Sequence, residues 1–128
     1  VYFQDTDAGG VVFHGSYLHF FERGRTEWLR DLGITQSKLK DSHEMLIVVR
    51  KIKLRYIKPA RLDDLLYVRT SLSKLGRAQM TLVQEVFRSK TLLVISNINL
   101  GFVSARDISP MIMPDVIREN FAKLDGFR

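Results

Sequence analysis

Cysteine is absent from this 128-residue chain, and proline is scarce, with three residues. The lack of cysteine excludes disulfides, thiol catalysis and cysteine metal sites, and it fits a protein of the reducing cytoplasm. No apolar run approaches the ~20 residues that cross a bilayer, so no transmembrane segment is predicted. The three histidines show neither H-x-x-x-H nor H-E-x-x-H spacing, which argues against a metal site.

What the chain does contain is a composition typical of a globular domain, with 45% hydrophobic and 27% charged residues. We therefore expect residues 1–128 to form one domain around a single core. The net charge of +6 favours anionic partners such as nucleic acid or a phosphorylated cofactor. The basic residues are dispersed along the chain, however, and we expect most of them to be ordinary solvated surface.

A helical repeat dominates the first quarter of the chain. Four residues recur at helical spacing: Tyr17, Phe21, Gly24 and Trp28. They predict an amphipathic helix from about Ser16 to Asp31, with Ser16 as N-cap and Gly33 as the C′ stop. Gly24 should allow a close approach of the surface that packs there. Glu22 and Arg25, three residues apart, could pair on this helix.

The rest of the chain shows a two-residue period typical of strands. Val1–Gln4 reads as a short first strand, and residues 35–44 form a polar connection with room for a second short helix. Further strands are predicted from Met45 to just before Pro59 and over three later segments: Leu65–Leu75, Met80–Arg88 and Leu92–Val103. A closing helix is expected over Asp115–Leu124, with Pro114 at its start.

Short links between the later strands imply an antiparallel meander, and only this sheet is available to cover the aromatic face of the long helix. The pattern therefore predicts an α+β fold. In it a curved antiparallel sheet of about five strands wraps around one long central helix.

The most informative segment is DTDAGGVVFHGSY at residues 5–17, directly before the long helix. It combines two carboxylates, a glycine pair and a histidine. A carboxylate close to a helix start is a candidate reaction centre, because the first backbone N–H groups of a helix can bind a developing negative charge. Gly9 and Gly10 permit a tight turn with no Cβ beside a substrate.

Three features of the chain resemble the hotdog-fold 4-hydroxybenzoyl-CoA thioesterase family. They are VYFQDTDAGGVVFHGSYLHFFERGRTEWL at residues 1–29, VVRKIKLRYIKPARLDDLL at 48–66, and the spacing of the later strands. Within the family, the chain most resembles the Tol-Pal-associated acyl-CoA thioesterase (YbgC-type) branch. Family members typically carry a short segment ahead of the position of Val1, which would extend the first strand.

The resemblance implies hydrolysis of a short-chain or aromatic acyl-CoA, with an acyl-carrier-protein thioester as a further substrate. Coenzyme A is then part of the substrate, and neither a cofactor nor a metal is expected. It also implies an edge-to-edge homodimer or homotetramer, for which an exposed edge strand gives a physical reason.

The resemblance assigns the catalytic carboxylate to Asp7. Thioester hydrolysis needs a nucleophile or a base that activates water, and without cysteine or a serine elbow a carboxylate is the natural candidate. The alternative is that Asp7 only caps a turn. By resemblance, the backbone N–H at His14 polarises the thioester carbonyl, while a role for the His14 ring stays open. Asp5 would share a face with Asp7 in an extended segment, and we interpret it as structural.

The resemblance also indicates substrate contacts, beginning with Gly9 and Gly10, which leave room for the thioester. Tyr17 is expected to pack at the helix start and to line the acyl pocket. Lys74 and Arg77 match the region that contacts the phosphates of coenzyme A, where a planar guanidinium suits a phosphate well. Two basic residues are weaker candidates, Lys58 and Arg61. The alternative for each cation is a solvated surface charge.

Two other functions compete with hydrolysis. A non-catalytic acyl-thioester-binding or adaptor protein of lipid metabolism would use the same pocket, but the intact DTD motif argues against lost catalysis. A nucleic-acid binder is suggested only by the charge and would lose affinity steeply with salt. Because the aromatic residues lie in apolar patterns and are not interleaved with basic ones, no nucleic-acid partner is expected.

Overall fold

A computed structural model describes residues 1–11 and 14–124. Over these residues the chain forms a 3₁₀ turn, three α-helices and four strands. In chain order they are the turn Phe3–Asp5, α1 Ser16–Asp31, α2 Gln36–His43, β1 Met45–Tyr56, β2 Tyr67–Leu75, β3 Gln79–Arg88, β4 Thr91–Ser104 and α3 Asp115–Ala122. The long helix, the later strands and the closing helix thus lie within a few residues of their predicted bounds.

The four strands form one antiparallel sheet in the order β1-β4-β3-β2. Strands β2, β3 and β4 make the predicted meander, while β1 lies beside β4, the last strand of the chain. The connection over residues 57–66 therefore carries the chain from one edge of the sheet to the other. Both β1 and β2 are edge strands, and the α+β class predicted from the sequence is confirmed.

The inner face of the sheet packs against α1. Side chains alternate along β3 and β4, so that Leu82 and Val86 on one strand and Val94 and Ile98 on the next are fully buried. Phe21 from α1 is equally buried among them. Hydrophobic burial on this scale is the main force holding the helix in the curve of the sheet.

Gly24 lets α1 come very close to β2. A Cβ atom added at this position would lie 2.6 Å from Cγ1 of Val68, a distance that real Cβ contacts do not show. The prediction that Gly24 permits a close approach is confirmed, and the partner surface is an edge strand.

The ends of α1 agree with the prediction in one case and differ in the other. Gly33 follows the helix with φ +78° and donates its N–H to the Arg30 carbonyl at 2.9 Å, as expected for a C′ glycine. The N-cap prediction was wrong, because Ser16 is the first helical residue. Gly15 precedes it and contributes no side-chain cap.

The predicted first strand was also wrong, and the sheet has four strands over the described residues. Asp5 accepts a hydrogen bond from the Tyr2 N–H at 2.9 Å, and its own N–H donates to the Tyr2 carbonyl at 2.9 Å. These two local bonds close the 3₁₀ turn in place of a strand ladder. Val1 instead bonds to the 57–66 connection: its amino group donates to the Asp64 carbonyl at 2.8 Å, and its carbonyl accepts the Asp63 N–H at 3.1 Å.

Candidate functional site

Asp7 lies exposed in a tight turn before α1. Its Oδ1 accepts the Gly9 N–H at 2.8 Å, while its backbone carbonyl accepts the Gly10 N–H at 3.0 Å. The Asp7 N–H donates to the Val11 carbonyl at 2.9 Å. Three hydrogen bonds therefore fix the backbone and one carboxylate oxygen. The other oxygen, Oδ2, has no hydrogen-bond donor within residues 1–11 and 14–124, so it is available to a ligand.

Glycine is favoured at positions 9 and 10 for two different structural reasons. Gly10 has φ +78°, a left-handed conformation that favours glycine. A Cβ at position 9 would lie 3.2 Å from Oδ1 of Asp7. A side chain at Gly9 would thus crowd the carboxylate, whereas one at Gly10 would strain the backbone.

Asp5 has a different environment from Asp7. It is buried, and its carboxylate holds the N–H of Tyr2. These contacts hold Asp5 in the 3₁₀ turn and agree with its interpretation as structural, which stays a prediction.

His14 lines a cavity of about 230 Å³ at the start of α1. The cavity is lined by His14, Tyr17, Tyr56, Ile57, Lys58 and Pro59. The Tyr56 hydroxyl donates to the His14 carbonyl at 3.1 Å, and the Tyr56 ring meets the Tyr17 ring edge-on with centroids 5.5 Å apart. The end of β1 therefore holds the backbone that leads into α1. Asp7 is not among the residues that line this cavity.

Tyr17 packs at the helix start as predicted. It is buried, and its hydroxyl oxygen accepts the Ala60 N–H at 3.1 Å. Burial raises the pKa of Tyr17, and the hydrogen bond from Ala60 only partly offsets this rise. Tyr17 is therefore a neutral phenol that fastens the 57–66 connection to α1 and contributes one wall of the cavity.

Lys74 and Arg77 lie at the other end of the sheet, where both are exposed. Lys74 is in β2, six residues beyond Val68, and Val68 shares its cross-strand row with Tyr56. Six strand residues span about 20 Å. Within one copy of the chain the structure does not bring these two cations to the cavity of His14. Lys74 instead lines a separate cavity of about 410 Å³.

The two basic residues ranked lower from the sequence lie closer. Lys58 lines the cavity of His14, and Arg61 forms an isolated β-bridge with Val11, four residues beyond Asp7. Both residues belong to the 57–66 connection, which passes the start of α1 on its way from β1 to β2. It takes this path because β1 and β2 lie at opposite edges of the sheet.

Tyr56 was missed as a site residue. The signal was present, because Ile52, Leu54 and Tyr56 alternate along one face of β1. Ile52 and Leu54 pack half-buried against the core, and Tyr56 is exposed at the end of the strand. An aromatic residue with a hydroxyl at the end of an apolar strand face is placed to reach a polar group beside the core.

Two larger cavities flank α1. The one on the β2 side, of about 530 Å³, carries five charged residues: Asp5, Arg23, Glu27, Asp31 and Asp64. The one on the β1 side, of about 510 Å³, carries three: Glu22, Arg25 and Arg30. The first cavity is thus acidic and the second is basic.

Arg25 does not pair with Glu22, and the predicted ion pair was wrong. Arg25 is 9% exposed and turns toward the sheet, where its Nη1 donates to Oε1 of Gln84 at 3.0 Å. Glu22 is exposed. Burial lowers the pKa of Arg25, and the charge of Glu22 partly counters this shift.

Within the described part of the chain there is no cluster of three or more His, Cys, Asp or Glu residues suited to a metal ion. No helix over those same residues has both the length and the apolar character needed to cross a membrane.

Known proteins match this chain over most of its length. Residues 9–95 match the thioesterase superfamily, a region that includes His14 and begins two residues after Asp7. The acyl-CoA thioesterase YbgC of Haemophilus influenzae is 39% identical over 124 residues, covering 97% of this chain and 91% of that protein. The acyl-CoA thioester hydrolase YbgC of Escherichia coli is 37% identical over 122 residues, with coverage of 94% and 90%.

The fold agrees with these matches. A crystal structure of a probable thioesterase from Bartonella henselae superimposes with a TM-score of 0.85 and 35% identity, covering 89% of this chain and 94% of that one. The sheet curved around one helix, inferred above from periodicity and resemblance, is therefore shared with a solved relative.

Proposed function

We propose a function from one premise: the chain belongs to the thioesterase superfamily. It is an acyl-CoA thioesterase that hydrolyses the thioester to a carboxylic acid and coenzyme A. The observation that carries the mechanism is the exposed Asp7 carboxylate, held by the Gly9 N–H in a turn just before α1. The acyl group we propose is short or aromatic, and we place the enzyme in the cytoplasm.

Asp7 acts in one of two ways. As a nucleophile, Oδ2 attacks the thioester carbon, the coenzyme A thiolate leaves, and water then hydrolyses the mixed anhydride. As a general base, it takes a proton from the water that attacks the same carbon. Either path needs a carboxylate oxygen with no protein donor, and Oδ2 meets this condition among the described residues.

The backbone N–H at His14 is our candidate for the oxyanion donor. The start of α1 adds further backbone N–H groups to the local field, since Gly15 provides no side-chain cap. The bond from Tyr56 to the His14 carbonyl supports this role, because it restrains the peptide on the other side of the same residue.

Asp7→Asn tests the carboxylate directly. We expect kcat for a short acyl-CoA to fall about 10²-fold or more, because loss of a general base or nucleophile has at least that cost. The fold should persist, since the asparagine carbonyl can still accept the Gly9 N–H. Asp41→Asn, an exposed change in α2, is the matched control. Near wild-type turnover in a folded Asp7→Asn variant would overturn the mechanism.

Labelled water separates the two paths. In a single turnover in H₂¹⁸O, a nucleophilic Asp7 acquires ¹⁸O in its own carboxylate after the anhydride opens at the side-chain carbon. A general base leaves Asp7 unlabelled, as does an anhydride that opens at the acyl carbon, so it is the appearance of ¹⁸O in Asp7 that identifies the nucleophilic path. Mass spectrometry of the peptide that contains Asp7 distinguishes these outcomes.

Lys74 and Arg77 are proposed to contact the phosphates of coenzyme A. Their separation of about 20 Å from the cavity of His14 suits a long ligand that extends along the sheet, or a contact made by a second copy. Removing both charges should raise KM about tenfold and leave kcat unchanged, because the phosphates are bound equally in the ground and transition states. A fall in kcat alone would contradict this assignment.

The proposed assembly is a homodimer or homotetramer that pairs along β1. This strand has twelve residues and one open edge. An open edge of that length is a template for a second strand. Analytical ultracentrifugation of the wild type, with a proline in the middle of β1 as the disrupting variant, tests this part of the proposal.

A further inference from the structure

Arg25 carries a buried charge that forms no salt bridge among the described residues, and Glu22 is the carboxylate whose charge acts on it. Arg25 is 9% exposed. A buried cation is stable only when an anion or a complete set of hydrogen bonds compensates for the lost water. In the part of the chain that the structure describes, the protein supplies one hydrogen bond to Arg25, and because its other guanidinium nitrogens are not fully enclosed, they reach the cavity that Arg25 lines.

Gln84 fixes the guanidinium but does not neutralise it. The Gln84 Oε1 accepts from Arg25, and its Nε2 donates both to the Phe21 carbonyl at 3.0 Å and to Oγ1 of Thr70 at 2.9 Å. The amide is thus fully engaged and cannot rotate. Arg25 uses only Nη1 in this bond, and within residues 1–11 and 14–124 no acceptor contacts its Nε or Nη2.

The cavity that Arg25 lines has an aliphatic wall and a polar wall, the latter including Thr26, Thr35, Gln36 and Ser37. Its apolar wall combines one helix residue, one loop residue and three strand residues: Leu29, Ile34, Ile47, Val49 and Leu100. Glu22 is the single acidic residue in the lining, and Arg30 is occupied by Glu27 at 2.7 Å. An oriented guanidinium beside an aliphatic wall, in a cavity of about 510 Å³, is complementary to a monoanion with an aliphatic tail.

We propose that the cavity between α1 and β1 binds the carboxylate of an aliphatic acid, with Arg25 as the anion-binding group. A carboxylate fits better than a phosphate, because a single half-used guanidinium matches one negative charge. This site is additional to the proposed function, since binding needs no catalysis. The proposed reaction nevertheless releases an acid of this chemical class.

Binding of octanoate and 1-octanol to the unmodified protein, measured by calorimetry, tests the proposal without any thioester. We expect octanoate to bind about tenfold or more tightly than the alcohol of equal length, because charge-assisted hydrogen bonds form only with the carboxylate. Equal affinities would overturn the proposal, and this comparison needs no variant.

Arg25→Gln should abolish the preference for octanoate, and Arg25→Lys should keep part of it. Arg23→Gln is the matched control, because Arg23 lies two residues away and lines the acidic cavity on the other side of α1. A preference that persists in Arg25→Gln contradicts the assignment. If Arg25→Gln instead weakens self-association and leaves octanoate affinity unchanged, the anion is a carboxylate of a second copy, and the proposal is wrong.

The Asp7→Asn variant separates this site from the proposed function. It should bind octanoate as the wild type does, whether or not it has lost turnover. If the wild type turns over acyl-CoA normally but shows no preference for octanoate, the proposed acid site is wrong and the mechanism stands. If Asp7→Asn keeps both turnover and the preference for octanoate, the mechanism is wrong and the acid site stands.

Discussion

Two cavities of nearly equal volume lie on opposite sides of α1, yet their charges have opposite signs. The β2-side cavity, of about 530 Å³, is lined by four carboxylates and one guanidinium. The β1-side cavity, of about 510 Å³, is lined by two guanidinium groups and one carboxylate. The charges of the first cavity should repel an anion such as the proposed product acid, and those of the second should attract it. Charge therefore distinguishes the cavities where size does not.

The difference has its origin in the helical repeat of α1. Arg23, Glu27 and Asp31 recur every four residues and face β2, whereas Arg25 and Leu29 face β1 and the sheet interior. One sixteen-residue helix thus presents a solvated charged flank on one side and a buried cation on the other.

The largest effect should come from Gln84→Leu, which removes the partner of Arg25. We expect a loss of about 3 kcal/mol in the free energy of unfolding, because the buried guanidinium keeps its charge and loses its hydrogen-bond acceptor. Urea denaturation measures it. The double variant Arg25→Met with Gln84→Leu should recover most of this loss. If the double variant does not recover stability, then the loss in Gln84→Leu does not come from the buried charge of Arg25, and that charge does not distinguish the β1 side of α1 from the β2 side.

Gly24→Ala should cost about 1–3 kcal/mol by forcing a methyl group against Val68. The sign of the effect is diagnostic, since alanine in an open helix position stabilises relative to glycine by about 1 kcal/mol. Thermal unfolding with Val68→Ala as the relieving second change tests the contact. A stabilising Gly24→Ala would show that α1 is not tightly packed on its β2 side.

Asp64 gives the acidic side of α1 a pH dependence of about 1 kcal/mol. Desolvation raises the pKa of Asp64. Hydrogen bonds from the Arg61 N–H and the Arg88 guanidinium lower the pKa by more, so its net value lies below the ordinary one. The stability it contributes is therefore present above the ordinary aspartate pKa and is lost as pH falls through the folded value. Asp64→Asn should flatten unfolding free energy against pH below about pH 4. An unchanged acid limb would contradict this.

The smallest effect should come from Arg30→Gln. Arg30 on the β1 side pairs with Glu27 on the β2 side at 2.7 Å, and both side chains are more than half exposed. An exposed i,i+3 pair contributes about 0.5 kcal/mol or less. Urea denaturation should show this small change beside the large one for Gln84→Leu. Similar losses for both variants would mean that burial does not determine how much the charged residues around α1 contribute to the free energy of unfolding.

Much of the fold followed from periodicity. The apolar spacing of α1, with Gly33 as its stop, placed the helix within a residue at both ends, because amphipathic repeats and C′ glycines are local signals. The prediction of a first strand was wrong, and the reason is also local. The Asp5 carboxylate closes a turn with Tyr2, and a two-residue alternation does not reveal that competing bond.

The candidate site was predicted in part. Asp7, Gly9, Gly10, His14 and Tyr17 lie in one short segment, so motif and resemblance identified them together. Their catalytic and binding roles stay predictions.

The contacts that complete the site come from distant parts of the chain. Tyr56 reaches His14 across 42 positions, and Gln84 reaches Arg25 across 59. Such pairs depend on strand order and on which face of a helix meets the sheet.

The sequence alone determined the α+β class, the extent of the long helix and the segment around Asp7. These depend on short-range repeats and on a motif whose residues are contiguous. The tertiary structure decided the partner of Arg25 and the position of Tyr56 against His14. It also decided the distance between Lys74 and the cavity of His14. Those outcomes follow from β1 lying beside β4, which brings residues far apart in the chain to the same row of the sheet.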